Sequence, residues 1–267
     1  MVLTMKLFLK ISFLGTDYCG YQVQNNAVTV QQRMNESSEK LFGYECDVVG
    51  CSRTDSGVHA NEFCLTVSKK GENALVHSIP LEKIPTAFNS LLPDDISVTE
   101  AEMVDDNFHA RYDVKYKEYI YKIWNGKVKN PFLGDRAYHC PFHIDRDAVK
   151  EMNRAAQLFI GKHDFTAFMA KGSKITDATR TVLYACVYSE DDTVVFKVAA
   201  DGFLYNMVRI MVGTLIDVAR GNLSADDISN IISSKKRGLA GATAPACGLY
   251  LNRVSYKNYH MEEIDHD

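Results

Sequence analysis

The segment Phe203-Leu204-Tyr205-Asn206-Met207-Val208-Arg209-Ile210-Met211-Val212-Gly213-Thr214-Leu215-Ile216 limits the possible architectures of this chain more than any other stretch. Met207, Val208, Ile210, Met211, Val212, Leu215 and Ile216 cover nearly every face of a helix, so that helix must be largely enclosed by other elements. Arg209 sits inside it. A guanidinium taken partly out of water needs a carboxylate, a phosphate or several carbonyls, because breaking a buried ion pair costs roughly 3–5 kcal/mol. The alternative is an arginine that snorkels from the edge of the core. At 267 residues with 46% hydrophobic content, the chain can bury a substantial core in two sub-domains.

A second charged residue stands in a different setting. Cys51-Ser52-Arg53-Thr54-Asp55-Ser56-Gly57-Val58-His59-Ala60 is a polar turn between two strand-like runs, Tyr44 to Gly50 and Glu62 to Ser68. Loops held between strands commonly carry chemistry, which makes Asp55 the residue to explain. As an isolated pattern, Arg53 and Asp55 read equally well as a surface pair around a glycine turn. A third element, Phe108 to Tyr121, combines aromatics and cations. Read as a strand from Val114, it sets Tyr119 and Tyr121 on one face with Lys115 and Lys117. Such a face suits nucleobases, which stack on tyrosine, and phosphates, which cations neutralise. Strand tyrosines taken alone are more often packing residues.

Hydrophobic periodicity predicts strand over Lys6 to Leu14, helix over Val28 to Phe42, strands over Tyr44 to Gly50 and Val58 to Ser68, helix over Leu81 to Leu92 and strand over Ile96 to Met103. The order repeats as Val114 to Trp124, Arg146 to Ile160, Thr181 to Ser189, Thr193 to Ala200, Phe203 to Ala219 and Leu249 to Tyr256, with an additional helix near Asp226 to Lys235. The expected fold class is α+β, built from two ferredoxin-like βαββαβ halves that form a mostly antiparallel sheet with a central active-site cleft. The halves are expected at residues 1–107 and 108–267, which brings Asp55 from one and Arg209 from the other to the junction.

Composition narrows the setting. No stretch approaches the roughly 20 apolar residues of a membrane span, and Lys6 and Lys10 interrupt the apolar start that would otherwise resemble an export signal. Seven cysteines without a C-x-x-C pair favour reduced thiols in cytoplasm over a disulfide framework or zinc site. The formal charge of −4 is unfavourable for a polyanionic ligand, but it is unevenly placed. Arg111 to Arg136 carries seven basic and three acidic residues, and Ser234 to Met261 carries five basic residues and no acid. Acid collects in Asp94 to Asp106, with six carboxylates, and in the tail Glu262 to Asp267. Such runs are usually solvated faces, and their use in RNA binding is an expectation.

These pieces, in order, resemble the TruA family of tRNA pseudouridine synthases. The likeness runs through Gly15-Thr16-Asp17-Tyr18-Cys19-Gly20-Tyr21-Gln22, Arg53 to Ala60, Asn89 to Ile96, Phe108-His109-Ala110-Arg111, Asp164-Phe165-Thr166-Ala167-Phe168, Phe203 to Gly213 and Ala244 to Leu251. By that resemblance Asp55 is the catalytic aspartate, Tyr119 the ring against the target base and Arg209 the partner that orients Asp55. Tyr119, Arg53 and Arg111 are the expected substrate-binding residues. The resemblance implies isomerisation of uridine to pseudouridine in the anticodon stem-loop of tRNA, at family positions 38, 39 and 40, by a cytoplasmic homodimer with a continuous sheet and with no metal or organic cofactor. Asp55 then adds to the base, adds to C1′ or removes a sugar proton, and spacing does not choose among these. Tyr21 stands where the family commonly has Trp and Ser56 where it has Ala; neither change removes a group the reaction needs.

The residues also suggest two other classes. An inert RNA-binding protein would use Tyr119 and Tyr121 as platforms, but the chain lacks an RNP1 pattern and that reading gives Arg209 no purpose. A glycoside hydrolase would pair Asp17 with Asp55 across a sugar cleft, although Asp17 fits better as a support of the Gly15-Thr16 turn. His59 and His163 are read as structural.

Overall fold

The structure, a computed structural model, describes residues 5–173 and 175–256. Met1 to Thr4, Lys257 to Met261 and the acidic run Glu262 to Asp267 lie outside the described residues. Two compact units form, the first from the chain up to Lys117 together with the end from Asn252, the second from Glu118 to Leu251. The units thus divide later in the chain than the expected boundary at residue 107, and the last strand contributes to both.

Among the described residues the first unit contains β1 (Met5–Phe13), α1 (Val30–Phe42), β2 (Cys46–Gly50), β3 (His59–Lys69), α2 (Ile84–Asn89) and β4 (Ile96–Asp105), after which β5 (Val114–Trp124) carries the chain into the second. There follow β6 (Tyr138–His139), α3 (Arg146–Gln157), β7 (Gly161–Asp164), β8 (Thr179–Glu190), β9 (Thr193–Ala200), α4 (Met207–Ala219), α5 (Asp227–Ser234) and β10 (Leu249–Tyr256). The chain is α+β and its strands pair mainly antiparallel; the short β6, parallel to β5, is an exception.

In the first unit the strand order is β4-β1-β3 with β2 also on β3. Alternation along β1 produces the buried layer: Leu7, Leu9 and Ile11 are fully enclosed and face Val67, Leu65 and Phe63 of β3 in register. The intervening positions face the other way. Phe8 meets Phe108 and Tyr256 edge-on at 5.5 and 5.6 Å, and Lys10 is held by Glu100 at 2.8 Å and Glu62 at 3.8 Å. α1 starts at Val30 because the Thr29 hydroxyl accepts from Gln32 N, and it ends where Gly43 turns left-handed at φ 78° and donates to Glu39 O. β10 enters this unit at Asn252, which accepts from Asn61, and Val254 N donates to Glu62.

In the second unit the order is β10-β5-β9-β8-β7. α4 is the apolar helix expected from sequence, and ten of its thirteen residues are buried. Its backbone is approached so closely by the loop after α5 that a Cβ on Gly213 would lie 1.7 Å from Ala242 O. Gly241 makes the same demand from the other side: its N–H donates to Thr214 Oγ1 at 2.9 Å. No described helix is long and apolar enough to cross a membrane.

Several expected boundaries moved for local reasons. The helix over Leu81 to Leu92 is a 3-10 turn at Leu81–Lys83 followed by α2, which ends at Asn89 because Leu92 precedes Pro93 and is disfavoured from helical geometry. α4 begins at Met207, since Asn206 is left-handed at φ 59°. β6 and β7 were too short to show a period.

Two measurements follow from this packing. Gly213→Ala should destabilise the protein by about 1–3 kcal/mol through overpacking against Ala242, seen as a lowered thermal midpoint. The Asp164 carboxyl is pulled down to about 2 by the Lys235 ammonium at 2.8 Å and by the Thr166 hydroxyl. A carboxylate lowered in the folded state contributes stability that is complete above its unfolded value near pH 4 and is lost as pH falls toward 2. Acid unfolding curves of Lys235→Met should therefore lose part of their slope in that window.

Candidate active site

Asp55 sits half-buried on the link between β2 and β3, and that link rests on the segment from Gly15 to Tyr21. Tyr18 O accepts from both Gly57 N at 3.3 Å and the Ser56 hydroxyl at 3.2 Å, and Tyr21 N donates to Thr54 O at 3.4 Å. The two main chains are in direct contact. A Cβ on Gly20 would stand 2.4 Å from Thr54 O, and one on Gly15 would stand 2.0 Å from Val58 O. His59, fully buried, accepts from Gly15 N at 2.9 Å through Nδ1, which gives this ring a part in holding the turn. Tyr18 itself is anchored by donating to Asp95 at 2.6 Å. Asp17 lies one residue from these anchors, on the exposed side of the turn.

Beside this loop lies a cavity of about 260 Å³ lined by Tyr21, Ser52, Arg53, His109, Arg111 and Tyr112, among others. The two arginines named from sequence therefore share one recess. Tyr112, 71% exposed, lies under the Arg111 guanidinium at 5.9 Å from its ring centre. Tyr21 closes the back: its ring stacks on Phe63 at 4.2 Å, its hydroxyl fills the space that a side chain on Gly50 would need, and burial pushes its pKa well up. Tyr21, standing where the family commonly has Trp, thus serves as a packed wall.

Tyr119 and Arg209 belong to the second unit. Tyr119 is buried and meets Phe203 edge-on at 4.9 Å, which ties β5 to the segment leading into α4. Its strand neighbour Tyr121 is fully buried and donates to Pro245 O at 2.7 Å, so it holds the loop before β10. Arg209 is half-buried near the start of α4. Nε donates to Ala244 O at 2.7 Å and Nη1 to Asn206 Oδ1 at 2.9 Å, while Arg209 O accepts from Ala244 N. Both ends of the residue are thus clamped to one loop, and carbonyl oxygens supply part of the anionic surroundings a partly buried guanidinium requires.

Lys117, on the β5 face that carries Tyr119 and Tyr121, is only partly exposed, and burial lowers its pKa with further lowering from Arg111. The face assignment was legible in the sequence, but the burial was not, because it depends on segments distant along the chain. Among the described residues no cluster of three His, Cys, Asp or Glu side chains is placed to hold a metal ion.

The family model for tRNA pseudouridine synthases matches residues 10–113 and 155–257, and the chain belongs to that family. Similar relatives carry the name tRNA pseudouridine synthase A. One from Thermoanaerobacter sp. is 43% identical over 250 residues, covering 94% of this chain and 99% of the relative. One from Acetivibrio thermocellus is 44% identical over 249 residues, 93% and 98% respectively, and one from Bacillus licheniformis is 43% identical over 256, 95% and 100%.

Gly20→Ala tests the seating of the Asp55 loop. Gly20 has φ 81°, so the added methyl meets both backbone strain and the Thr54 carbonyl. A loss of about 1–3 kcal/mol in denaturant unfolding is expected.

Proposed function

We propose that this chain isomerises uridine to pseudouridine in the anticodon stem-loop of tRNA, with Asp55 as the catalytic carboxylate, Tyr119 as the ring against the target base and Arg209 as the group that orients Asp55. The observation that carries the reading is the family match, which spans Asp55 on its anchored loop and Arg209 in its clamp. The relatives' printed name supplies the reaction and the RNA class.

The chemistry suits a fixed carboxylate. The bond from ribose C1′ to uracil N1 breaks, C1′ joins uracil C5, the C5 proton leaves and N1 takes a proton, with no net oxidation. Holding a carboxylate against both sugar and base makes the step effectively intramolecular. In this proposal Arg209 orients the Asp55 carboxylate through a charge-assisted contact. Tyr119 covers the uracil face and has a hydroxyl to offer toward developing charge. Because the target base is stacked in the RNA, it is extruded before Asp55 reaches the sugar. Arg53 and Arg111 bind the RNA beside that point, supported by the recess they share.

In this reading each unit is built on a ferredoxin-like half. The strand orders β4-β1-β3-β2 and β10-β5-β9-β8 support it, since each places the first and third strands of a βαββαβ series side by side. A homodimer working in cytoplasm on nucleotides 38 to 40 belongs to the same proposal and is supported by the family resemblance.

Asp55→Asn should abolish tritium release from tRNA containing 5-tritiated uridine while leaving tRNA binding within about threefold, a loss of transition-state rather than ground-state interaction. Arg209→Gln should lower kcat by about a hundredfold. Substantial turnover by Asp55→Asn removes Asp55 from its role. Unchanged tRNA mass with a new carbodiimide-reactive base distinguishes isomerisation from hydrolysis.

A further inference from the structure

The first unit keeps most of its aromatic rings inside. Phe8, Phe13, Tyr18, Tyr21, Phe63 and Phe88 are all buried. Tyr112 is the exception: at 71% exposure it is the one Phe, Tyr or Trp ring of that unit left largely in water among the described residues. Exposure of a single apolar side chain is ordinary by itself. What sets Tyr112 apart is the structure that holds it.

The turn from His109 to Asp113 is closed at both ends. His109 N donates to Asp113 Oδ2 at 2.7 Å, and Asp113 N donates to His109 O at 3.1 Å. Within the turn the His109 imidazole accepts through Nδ1 from Arg111 N at 3.1 Å and from Tyr112 N at 3.3 Å, so one ring fixes the main chain of both residues. The same imidazole lies against the Tyr112 ring, with centroids 4.2 Å apart and planes 38° from each other. The Arg111 guanidinium stands 5.9 Å from the centre of the tyrosine ring. These neighbours support Tyr112 and still leave most of it open. A side chain held in this way gives up little rotamer freedom when a ligand covers it, which favours binding.

The surroundings identify the kind of ligand. Tyr112, Arg111 and His109 line the 260 Å³ recess together with Arg53, and no carboxylate borders it. Other cations of the unit are matched, Lys10 with Glu100, Arg33 with Glu36, Lys69 with Glu72 and Lys70 with Glu45. Arg53 and Arg111 have no ion pair among the described residues. A π face beside two such guanidiniums fits a group that is flat and apolar at one end and anionic at the other. A nucleotide is such a group: its base stacks on the ring and its phosphate takes the guanidiniums. An acidic peptide would use the arginines and leave the ring uncovered. Only an unpaired nucleotide offers a free base face. Arg53 stands two residues before Asp55, yet Asp55 does not line the recess, so the base held there is not the one isomerised.

We propose that the Tyr112 ring is the stacking platform for one unpaired nucleobase of the substrate RNA, other than the reacting uridine, with the adjoining phosphate on Arg53 and Arg111. This rests on the RNA-modifying reading of the chain. A second base held out of the stack helps to keep the target extruded. Tyr112 is then a substrate-binding residue, and His109 positions it.

The test uses the full chain, a tRNA transcript and the variants Tyr112→Ala and Tyr112→Phe. Tyr112→Ala should weaken tRNA binding about tenfold, the worth of one stacked base, and raise KM while kcat stays within about twofold. Because the ring carries no charge, the slope of log affinity against log salt should stay at the wild-type value in Tyr112→Ala, whereas Arg111→Gln should reduce it by about 0.7–0.9. Tyr112→Phe keeps the π face and should bind within about twofold of wild type. Abasic sites placed one at a time through the anticodon arm identify the base. At one position the loss seen with wild type should vanish in Tyr112→Ala, because ring and base form a single interaction. Unchanged binding in Tyr112→Ala overturns the proposal, as do equal losses in Tyr112→Phe and Tyr112→Ala or losses that add at every abasic position. Any of these with wild-type tritium release intact leaves the functional reading standing. Wild-type protein that neither binds tRNA nor releases tritium from it overturns that reading, and the subsite with it.

Discussion

The contact between two stretches of bare main chain, residues 15–20 and 54–58, fixes where Asp55 sits in the first unit. Gly15 and Gly20 let the carbonyls of Val58 and Thr54 come nearer than any side chain allows, and Tyr18 O gathers Gly57 N and the Ser56 hydroxyl. Asp55 is therefore aimed by a backbone position as well as by its own rotamer. The second unit uses the same device. Gly213 and Gly241 admit a loop onto α4, and that loop delivers Ala244 O to Arg209. Backbone-to-backbone packing has few alternative arrangements, which suits residues that must hold their place without a ligand.

Net charge is a poor guide to this molecule because the carboxylates are committed locally. Of the acidic run from Asp94 to Asp106, Asp95 anchors Tyr18, Glu100 pairs with Lys10, and Asp105 accepts from Asn107 N. These groups shape turns and hold β1. The recess beside the Asp55 loop is lined by Arg53 and Arg111 and by no carboxylate, so a chain with an acidic balance keeps a local cationic field there.

Much of this was legible in the sequence wherever a single element decides its own environment. The alternation of Leu7, Leu9 and Ile11 announced the buried face of β1, and the apolar run around Arg209 announced an enclosed helix. The polar turn at Asp55 stood out because both its flanks were strands. Features requiring two distant segments were hidden. Tyr119 and Tyr121 look alike in sequence, yet one ring meets Phe203 and the other supports Pro245. Lys115 and Lys117 occupy the same strand face, yet the first is exposed and the second only partly so. α2 was overestimated because hydrophobic spacing continues past the point where Pro93 constrains the chain.

The placement of the thiols gives the Asp55 loop a built-in reporter. Cys51, at the root of that loop, is fully enclosed and neutral, whereas Cys19, on the segment supporting it, is exposed. An alkylating reagent should reach Cys19 in the closed molecule but Cys51 only through transient opening. The ratio of the two modification rates therefore measures how often the loop lifts from its seat, without any label being engineered into the protein.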